Sequence, residues 1–353
     1  MRLSVPAPWQ PITVTPLLEV RQPTGETRLF PVVGDTVASK AMGDRTGDYV
    51  LDVSVPGEAP EGDTDWLACT GQSARVRWEL VSQGNTSVVW SNRFSLETWD
   101  EDSPGLITLS GHGVLSRVWG HKNAEARQWR SALARDVLGS IVEVDGVPLR
   151  VDPALPKDEL PRIWTQGTDR WQAVLDLLEA VSGVLREDEH GAVLAPQPGE
   201  ITERPAIVLA DGHAASVDAP ATVVSAPRSF DRRDRPNHVV VRGTDAFTEQ
   251  DFVTEAVERD GPYRPELYGW VTEEINSDSI SRFAQGQLVA TNTLAHRRRY
   301  RQVVSVSMVT DWRIELDDPV EVRKDGTVWW GRVVGIEMPI DGMGTMTVEV
   351  GVE

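Results

Sequence analysis

The chain of 353 residues is poor in cysteine and histidine, the residues that form disulfides and bind zinc. Cys69 is its single cysteine, which excludes a disulfide within one chain and a zinc site built from several thiolates. No apolar run reaches the roughly 18 to 20 residues that a membrane helix requires. Met1–Pro6 leads into a proline-rich strand rather than an apolar signal core. We therefore expect no membrane insertion, no export signal and synthesis in a reducing cytoplasm.

Motifs for nucleotide binding and catalysis are also missing. Neither a Gly-x-x-x-x-Gly-Lys loop nor a Gly-x-Gly-x-x-Gly string after a strand occurs. The six histidines do not cluster in a spacing typical of an acid-base pair. The string SGHG at Ser110–Gly113 lacks the Gly-x-Ser-x-Gly pattern of a nucleophile elbow and predicts a tight β turn. We therefore predict a protein that is not an enzyme, with no catalytic, cofactor-binding or metal-binding residues.

Positive charge is scarce in comparison with negative charge. The net charge is -19, and the acidic residues are spread along the chain rather than gathered in a tail, so they belong to folded surfaces. Binding to nucleic-acid phosphates needs a basic face. The one strong basic run, His296–Arg301, is short and follows a predicted helix, where it complements the helix dipole. We predict no sequence-specific binding of nucleic acid.

Two acidic stretches contain groups that could bind a metal ion. Glu187–His190 (EDEH) offers four such groups in a row, but a buried metal site draws its ligands from separated positions, so we predict an exposed hairpin tip. The second stretch could hold a hard cation such as calcium, although the helix-flanked calcium loop is absent, and a solvated acidic edge is the favoured prediction. Its carboxylates are Asp311, Glu315, Asp317, Asp318 and Glu321.

Strand signals dominate the chain up to about Trp119. Apolar and polar residues alternate over Ala74–Leu80 and Ser87–Trp90, and turn signals such as Gln83–Asn85 separate the runs. This pattern is typical of an all-β barrel or sandwich. Strands return near the other end of the chain, where Lys324–Thr327 (KDGT) predicts a hairpin turn. The two ends therefore share a strand-rich texture.

Helical spacing appears in the middle of the chain. Apolar residues three to four apart predict a first helix over 126–137 with Gly139 as its stop. A second helix is predicted to be capped by Thr168 and to end at Gly183, with its apolar stripe over Trp171–Val181. A hairpin over 184–194 follows directly, so this segment predicts a small α/β unit.

The chain from Gly199 to Pro227 is rich in proline, alanine and short polar residues, and we interpret it as a crossing between domains. Asn237–Gly243 is a predicted strand, and Ser277–Ser279 is predicted to open a third helix. The apolar residues expected on one side of that helix are Ile280, Phe283, Ala284, Leu288 and Leu294.

Thirteen tryptophans are present, and most fit core or subunit-contact positions. Trp329 and Trp330 are adjacent in a predicted strand, so their rings must point to opposite faces. At least one of these two rings is therefore a candidate for an interface or a ligand platform. Sugar binding by stacked rings is the alternative hypothesis, with Trp66 and Trp99 near turns as further candidates.

Three stretches of the second half form a recognisable set. Thr168–Pro196 contains a helix ending at Ser-Gly, a strand, the turn EDEHG and a second strand. Asp234–Gly243 reads DRPNHVVVRG. A helix ends in Leu294–Arg299, and Leu316–Val322 follows after one strand. Together, over roughly 165–353, they resemble the baseplate-hub family of bacteriophage tails and the related hub part of type VI secretion spikes. The sequence departs from that family at Asp317–Pro319, where a Gly-Asp pair is usual.

The resemblance implies a mainly β fold with a small α/β module and two tube-type β-barrel domains in one chain. The domains are expected over 1–120, 121–200 and 201–353, the last with one long helix. It also implies a trimer whose six barrels adapt a six-fold tail tube to a three-fold tip, with tail tube, distal tail and tip proteins as partners. The protein would then be a structural component of the virion tail, made in the host cytoplasm, through whose acidic lumen the genome passes. A receptor-binding or host-contact tail protein with a tryptophan-lined glycan site is the alternative.

Overall fold

The structure is a computed structural model, and it describes residues 12–33, 37–42, 45–144, 146–155, 157, 160, 163–216, 220–229, 235–245, 248–299, 302–341 and 344–352. Strands make up 49% and helices 14% of the fold, so the predicted mainly β class is confirmed. Buried apolar side chains form three clusters, which belong to a pair of barrels, a small α/β module and a three-stranded unit. In the part of the chain that is described, no helix is long and apolar enough to cross a membrane.

The first barrel is built from the strands that precede the first helix. These strands are β1 (Thr13–Arg21), β2 (Thr27–Pro31), β3 (Val37–Met42), β4 (Gly47–Pro56), β5 (Ser73–Ser82), β6 (Asn85–Trp90), β7 (Phe94–Ser103) and β8 (Leu106–Gly113). Around the barrel the antiparallel order is β2-β1-β5-β7-β8-β4. The N–H of Val33, just after β2, donates to the carbonyl of Ser54 in β4 at 2.9 Å. This hydrogen bond closes the sheet on itself.

The small α/β module follows the first barrel. Its elements are α1 (Ser116–Trp119), β9 (Arg127–Arg130), α2 (Ala134–Glu143), β10 (Leu149–Val151), β11 (Ile163–Gln166), α3 (Arg170–Ala180), β12 (Gly183–Asp188) and β13 (Gly191–Pro196). β13 lies between β10 and β12 in one sheet, and β9 pairs with β11 in another. Buried residues of α2 and α3, with Leu185 and Leu194 of the hairpin, form the module's own core.

The rest of the chain makes a second barrel and the three-stranded unit. The elements are β14 (Ile207–Ala210), β15 (Val223–Ser225), β16 (Arg228–Ser229), β17 (His238–Thr244), β18 (Asp251–Val257), α4 (Pro265–Tyr268), β19 (Thr272–Asn276), α5 (Phe283–Arg299), β20 (Gln302–Val309), β21 (Pro319–Lys324), β22 (Thr327–Pro339) and β23 (Thr345–Val352). The second barrel runs β15-β20-β23-β22-β21-β14, and the Thr222 N–H closes it by donating to Ala210 O at 3.0 Å. The three-stranded unit has the order β18-β17-β19, with α5 packed on one face.

The long strand β22 joins the two barrels. Its first half pairs with β21, its second half pairs with β3 along the same edge, and β23 lies on its other side. The Trp78 indole N–H also donates to the carbonyl of Ile340 at 2.7 Å. Because β22 and β3 pair, strands of both barrels belong to one continuous sheet and share one core. Two barrels in one chain are thus confirmed, whereas the boundaries at 120 and 200 stay a prediction.

The first predicted helix is wrong in position. Trp129 lies in strand β9, and the helix begins only at Ala134 and passes through Gly139, the expected stop. β9 pairs with β11, which follows much later in the chain, so a distant partner overrides the local helical spacing. The predicted crossing at 199–227 is also partly wrong, because it contains β14 and β15 of the second barrel.

The later helices are confirmed with corrections at their ends. The N-cap of α3 is Asp169 rather than Thr168, since its carboxylate accepts the Gln172 N–H at 3.0 Å. The left-handed residue after α3 is Ser182 (φ 48°), while Gly183 already begins β12. α5 begins at Phe283, which is 57% exposed and so does not belong to the buried stripe. Leu288 is 46% exposed as well, whereas Leu294 is buried.

Candidate assembly and channel surfaces

Strand β12 is the point where the module and both barrels meet. The Leu185 N–H donates to the carbonyl of Arg45 in the first barrel's β3–β4 connection at 2.7 Å. The next residue, Arg186, forms an ion pair with Asp317 beside the second barrel, with 2.9 Å between Nε and Oδ2. Because β12 belongs to the module and contacts both barrels, it fixes the position of the module between them.

Glu187 is the most constrained residue of this junction and is only 7% exposed. Its carboxylate accepts the backbone N–H groups of Val114 at 2.9 Å and Leu115 at 3.0 Å. Its own N–H donates to the Tyr49 hydroxyl at 3.0 Å, and its carbonyl accepts from the Asn92 amide at 2.9 Å. All four partners are themselves buried. The prediction that 187–190 is an exposed hairpin tip is therefore wrong for Glu187.

Burial controls the ionisation of this junction. It raises the pKa of Glu187 to about 8, although the two backbone donors act in the opposite direction. Burial likewise raises the pKa of the Tyr49 phenol above its usual value. The only available sequence signal for this site is the strand period, which puts Glu187 on the same side of β12 as the buried Leu185.

A continuous acidic surface crosses both barrels. Seven strands lie side by side in the order β20-β23-β22-β3-β4-β8-β7. One side of this sheet packs into the shared core, and the other side carries carboxylates interspersed with serine and threonine. The exposed carboxylates, which we call the acidic sheet face, are Asp48, Asp52, Glu97, Asp100, Glu337 and Glu349.

Strand register places these carboxylates on one side of the sheet. Asp52 pairs with Ser110, while its neighbours in β4 point into the core. Glu349 pairs with both Ser305 and Gly335, and its neighbours in β23 are likewise buried. Among the described outward positions of these strands, the only arginine or lysine is Arg332, which donates to the backbone carbonyls of Asp317 and Gly199. The face is therefore strongly negative.

The SGHG string lies on this sheet rather than in a turn. Ser110–Gly113 forms the end of β8, so the predicted tight turn is wrong. The His112 ring nitrogen Nδ1 lies 3.0 Å from a Glu97 carboxylate oxygen. Gly113 is opposite the junction, and a Cβ there would lie 2.5 Å from the Glu187 carboxylate oxygens.

The rings of Trp329 and Trp330 point to opposite sides of β22, as the sequence predicts. Trp329 packs against the barrel core, with the Arg228 guanidinium 5.1 Å from its ring centroid. Trp330 is 37% exposed, and its indole N–H donates to a Glu321 carboxylate oxygen at 3.0 Å. The pair's role as an interface or ligand platform stays a prediction.

The acidic stretch from Asp311 to Glu321 is not a solvated edge, and that prediction is wrong. Asp311 is 2% exposed and pairs with Arg313, while Glu321 is 4% exposed and is held by Arg204 and Arg323. Burial opposes the charge of Glu321, but hydrogen bonds from the two arginines and Trp330 keep its pKa below the usual value. No group of three or more metal-ligating side chains converges among the described residues.

The basic run His296–Arg301 lies at the end of α5. Arg297 makes a two-pronged ion pair with Glu273 of β19, with both N–O distances 2.9 Å. The side chains of the other residues of the run lie outside the described part of the chain. The basic run is predicted to complement the dipole of α5, but Arg297 instead pairs with the Glu273 carboxylate.

Comparisons with known proteins agree with this architecture. No family model matches the sequence, and no curated protein matches it. Among solved structures, the fold is similar to the prophage MuSo2 43 kDa tail protein from Shewanella oneidensis, with a TM-score of 0.60 and 12% identity over 97% of this chain and 100% of that one. It is also similar to a tail protein from Neisseria meningitidis MC58, with a TM-score of 0.62 and 13% identity over 96% and 97% of the chains.

A third similarity is to a chain of the PdpA-VgrG complex in its lidless form. The TM-score is 0.55 at 8% identity, over 99% of this chain and 66% of that one. At these identities the likeness concerns the fold, and it extends over both barrels, the module and the three-stranded unit. The chain therefore has the fold of phage tail proteins, and the resemblance to the tail hub family is confirmed at that level.

Proposed function

We propose that this protein is a structural component of a bacteriophage tail, a baseplate hub or minor tail protein at the distal end of the tail tube. The observation that carries the proposal is the whole-chain likeness to phage tail proteins of matching length. A second observation supports it, because two barrels joined through β22 and β3 supply two similar units from one chain. Three copies would then offer six barrels, which meets a six-fold tube on one side and a three-fold tip on the other.

The acidic sheet face is the proposed lining of the channel. DNA carries one negative charge per phosphate, and a surface whose one described outward arginine, Arg332, already donates to backbone carbonyls offers it few sites to bind. Asp52 in the first barrel and Glu349 in the second lie on the same side of one continuous sheet. In a ring of such chains, this side would repel the genome and let it slide past.

Cryo-electron microscopy of the purified protein, with mass photometry for the copy number, tests the proposal. We expect rings with a central channel and three-fold symmetry, in which Asp52 and Glu349 face the lumen. A channel lined by neutral or basic side chains would refute the lining. Absence of the protein from purified tails would refute the structural role itself.

A host-contact role with a glycan site is the second candidate. The observation that favours it is the part-exposed ring of Trp330, which is bordered by Glu321 and the largely exposed side chain of Arg204. A glycan array with the wild-type protein and Trp330→Ala tests this role. Binding that depends on Trp330 would support the host-contact role, and equal absence of binding in both proteins would remove it.

A further inference from the structure

A cluster of arginines lies on the first barrel, on the side opposite the acidic sheet face. On β1 and β5 the residues Leu18, Val20, Val76, Trp78 and Leu80 point into the core, so their neighbours point outwards. These outward neighbours include Glu19, Arg21, Arg75, Arg77 and Glu79, and Arg93 lies beside them. In the barrel order β2-β1-β5-β7-β8-β4, the strands β1 and β5 are across from β8 and β4. We call this surface the basic barrel face.

The basic barrel face has more positive than negative charge. Arg75 and Arg93 both lie close to the single carboxylate of Glu19, at 2.7 and 3.6 Å. Burial lowers the pKa of Arg93, and the charge of Arg75 lowers it further, with Arg21 also contributing. With the pair of Arg77 and Glu79 at 2.6 Å, four arginines stand against two glutamates. In a chain of net charge -19, this local excess needs an explanation.

The same face carries features of a contact surface as well as charge. The Arg75 guanidinium stacks over the Trp90 ring, 3.7 Å from its centroid, which holds both side chains flat against the barrel. Leu29 pairs with Glu19 and is 45% exposed, and Val88 pairs with Glu79 and is 43% exposed. Ordered arginines beside exposed apolar groups are typical of protein contacts.

The three-stranded unit presents a matching acidic surface. α5 covers one side of its sheet, where Val239, Val241 and Ile275 are buried. The opposite side carries Asp251, Glu255 and Glu274, of which Glu255 and Glu274 are 63% and 54% exposed. Val253, between two of these carboxylates, is 53% exposed. Among the described strand residues on this side, Arg242 is the one arginine or lysine and lies 3.8 Å from Glu274, while His238, counted as neutral, lies 3.3 Å from Glu255.

We propose that the basic barrel face of one chain docks against the acidic side of the β18-β17-β19 sheet of a second copy. Both surfaces combine exposed apolar residues with an excess charge of about two, of opposite sign, so they are complementary. Because the two surfaces are different patches of the same chain, the contact can be heterologous and continue from copy to copy, as a closed ring requires. This proposal rests on the proposed function, for which it supplies a contact between copies on the side of the barrel away from the proposed channel lining.

Charge reversal tests the contact in the full-length protein. We expect that Arg21→Glu with Arg77→Glu, and separately Glu255→Arg with Glu274→Arg, each weaken self-association at least about tenfold in sedimentation velocity. Mixing the two reversed proteins should restore association into pairs of one copy of each, because each then meets a surface of opposite charge, whereas a three-copy ring cannot alternate the two. That rescue also shows that both variants are folded. Wild-type association should weaken between about 0.05 and 1 M salt, where screening shortens the range of charge interactions.

The control matched to the glutamate reversals is Glu125→Arg with Glu203→Arg, which raises the net charge by the same amount at exposed positions outside both surfaces. It should associate like the wild type. A wild-type chain that stays monomeric at low salt, reversals that leave association unchanged, or a mixture that fails to associate would each overturn the contact. If the charge-reversed variants form the same ring as the wild type in electron micrographs, the contact is overturned while the tail role stays intact. Absence from tails would remove the role by itself.

Discussion

Replacing Glu187 by glutamine separates the two forces that act on the junction. Burial favours the neutral acid, and two backbone N–H groups favour the carboxylate. The folded-state pKa of about 8 compares with an ordinary carboxyl value of 4.5. At about 1.4 kcal/mol for each pH unit of that difference, burial favours the neutral form by roughly 5 kcal/mol. The unfolded chain loses its proton near pH 4.5 while the folded chain keeps it, so this stability is complete below pH 4.5 and is lost as the pH rises to 8.

Glutamine has no charge to lose, so the variant lacks this pH dependence. At pH 5 it should be less stable than the wild type by about 1 to 3 kcal/mol, because its amide NH2 meets one of the two backbone donors and leaves it unpaired. At pH 9 the order should reverse, and the variant should be the more stable protein by about 1 to 3 kcal/mol. The free energy of unfolding from urea titrations between pH 5 and 9 gives both values.

Other titrating groups contribute nearly equally to both proteins, so the difference between the two curves isolates Glu187. A difference that stays constant from pH 5 to 9 would refute the raised pKa. If instead Glu187 is charged in the fold because the backbone donors of Val114 and Leu115 outweigh burial, the variant becomes relatively weaker only as the pH rises through about 4, in a titration extended below pH 5.

Three further substitutions test the local geometry by urea unfolding. Gly113→Ala should destabilise the protein by about 1 to 3 kcal/mol, because its Cβ would lie 2.5 Å from a buried carboxylate; an unchanged midpoint would refute the close contact. Arg186→Ala should cost roughly 3 kcal/mol, since it leaves Asp317 without its guanidinium; a loss below about 0.5 kcal/mol would contradict this pairing. Asp169→Ala should cost about 1 kcal/mol as a lost N-cap, whereas its neighbour variant Thr168→Ala should be neutral, and the reverse order would restore Thr168 as the cap.

Features that depend on neighbouring residues could be predicted from the sequence. The hairpin turn at Lys324–Thr327 needs two residues with positive φ, and Asp325 (φ 50°) and Gly326 (φ 75°) supply them. Strand β17 matches the strand predicted over Asn237–Gly243 within one residue at each end. In both places the backbone conformation is decided by the residues themselves.

Features that depend on distant partners could not be predicted. The carboxylate of Glu187 is buried by residues 72 and 73 positions earlier in the chain, and that of Glu321 is held by Arg204, which is 117 positions away. In the sequence both belong to acidic runs, and acidic runs are usually solvated. The burial of a charge is a property of long-range packing, and single-sequence periodicity reports only which side of a strand a residue occupies.

The register between β22 and β3 decides both the core and the acidic sheet face. Ile336 pairs with Lys40, whose ammonium donates to Asn92 on the core side, while Glu337 pairs with Ser39 on the outer side. A slip of one residue would place Lys40 on the outer side, in the middle of the carboxylates, and would bring a positive charge to the surface proposed to face DNA. The hydrogen bond from Lys40 to buried Asn92, and the hydrogen bond from Asn92 to the Glu187 carbonyl, therefore tie the correct register to the docking of the module. This series of hydrogen bonds, from Lys40 through Asn92 to Glu187, thus determines where the module docks and which charges the continuous sheet presents.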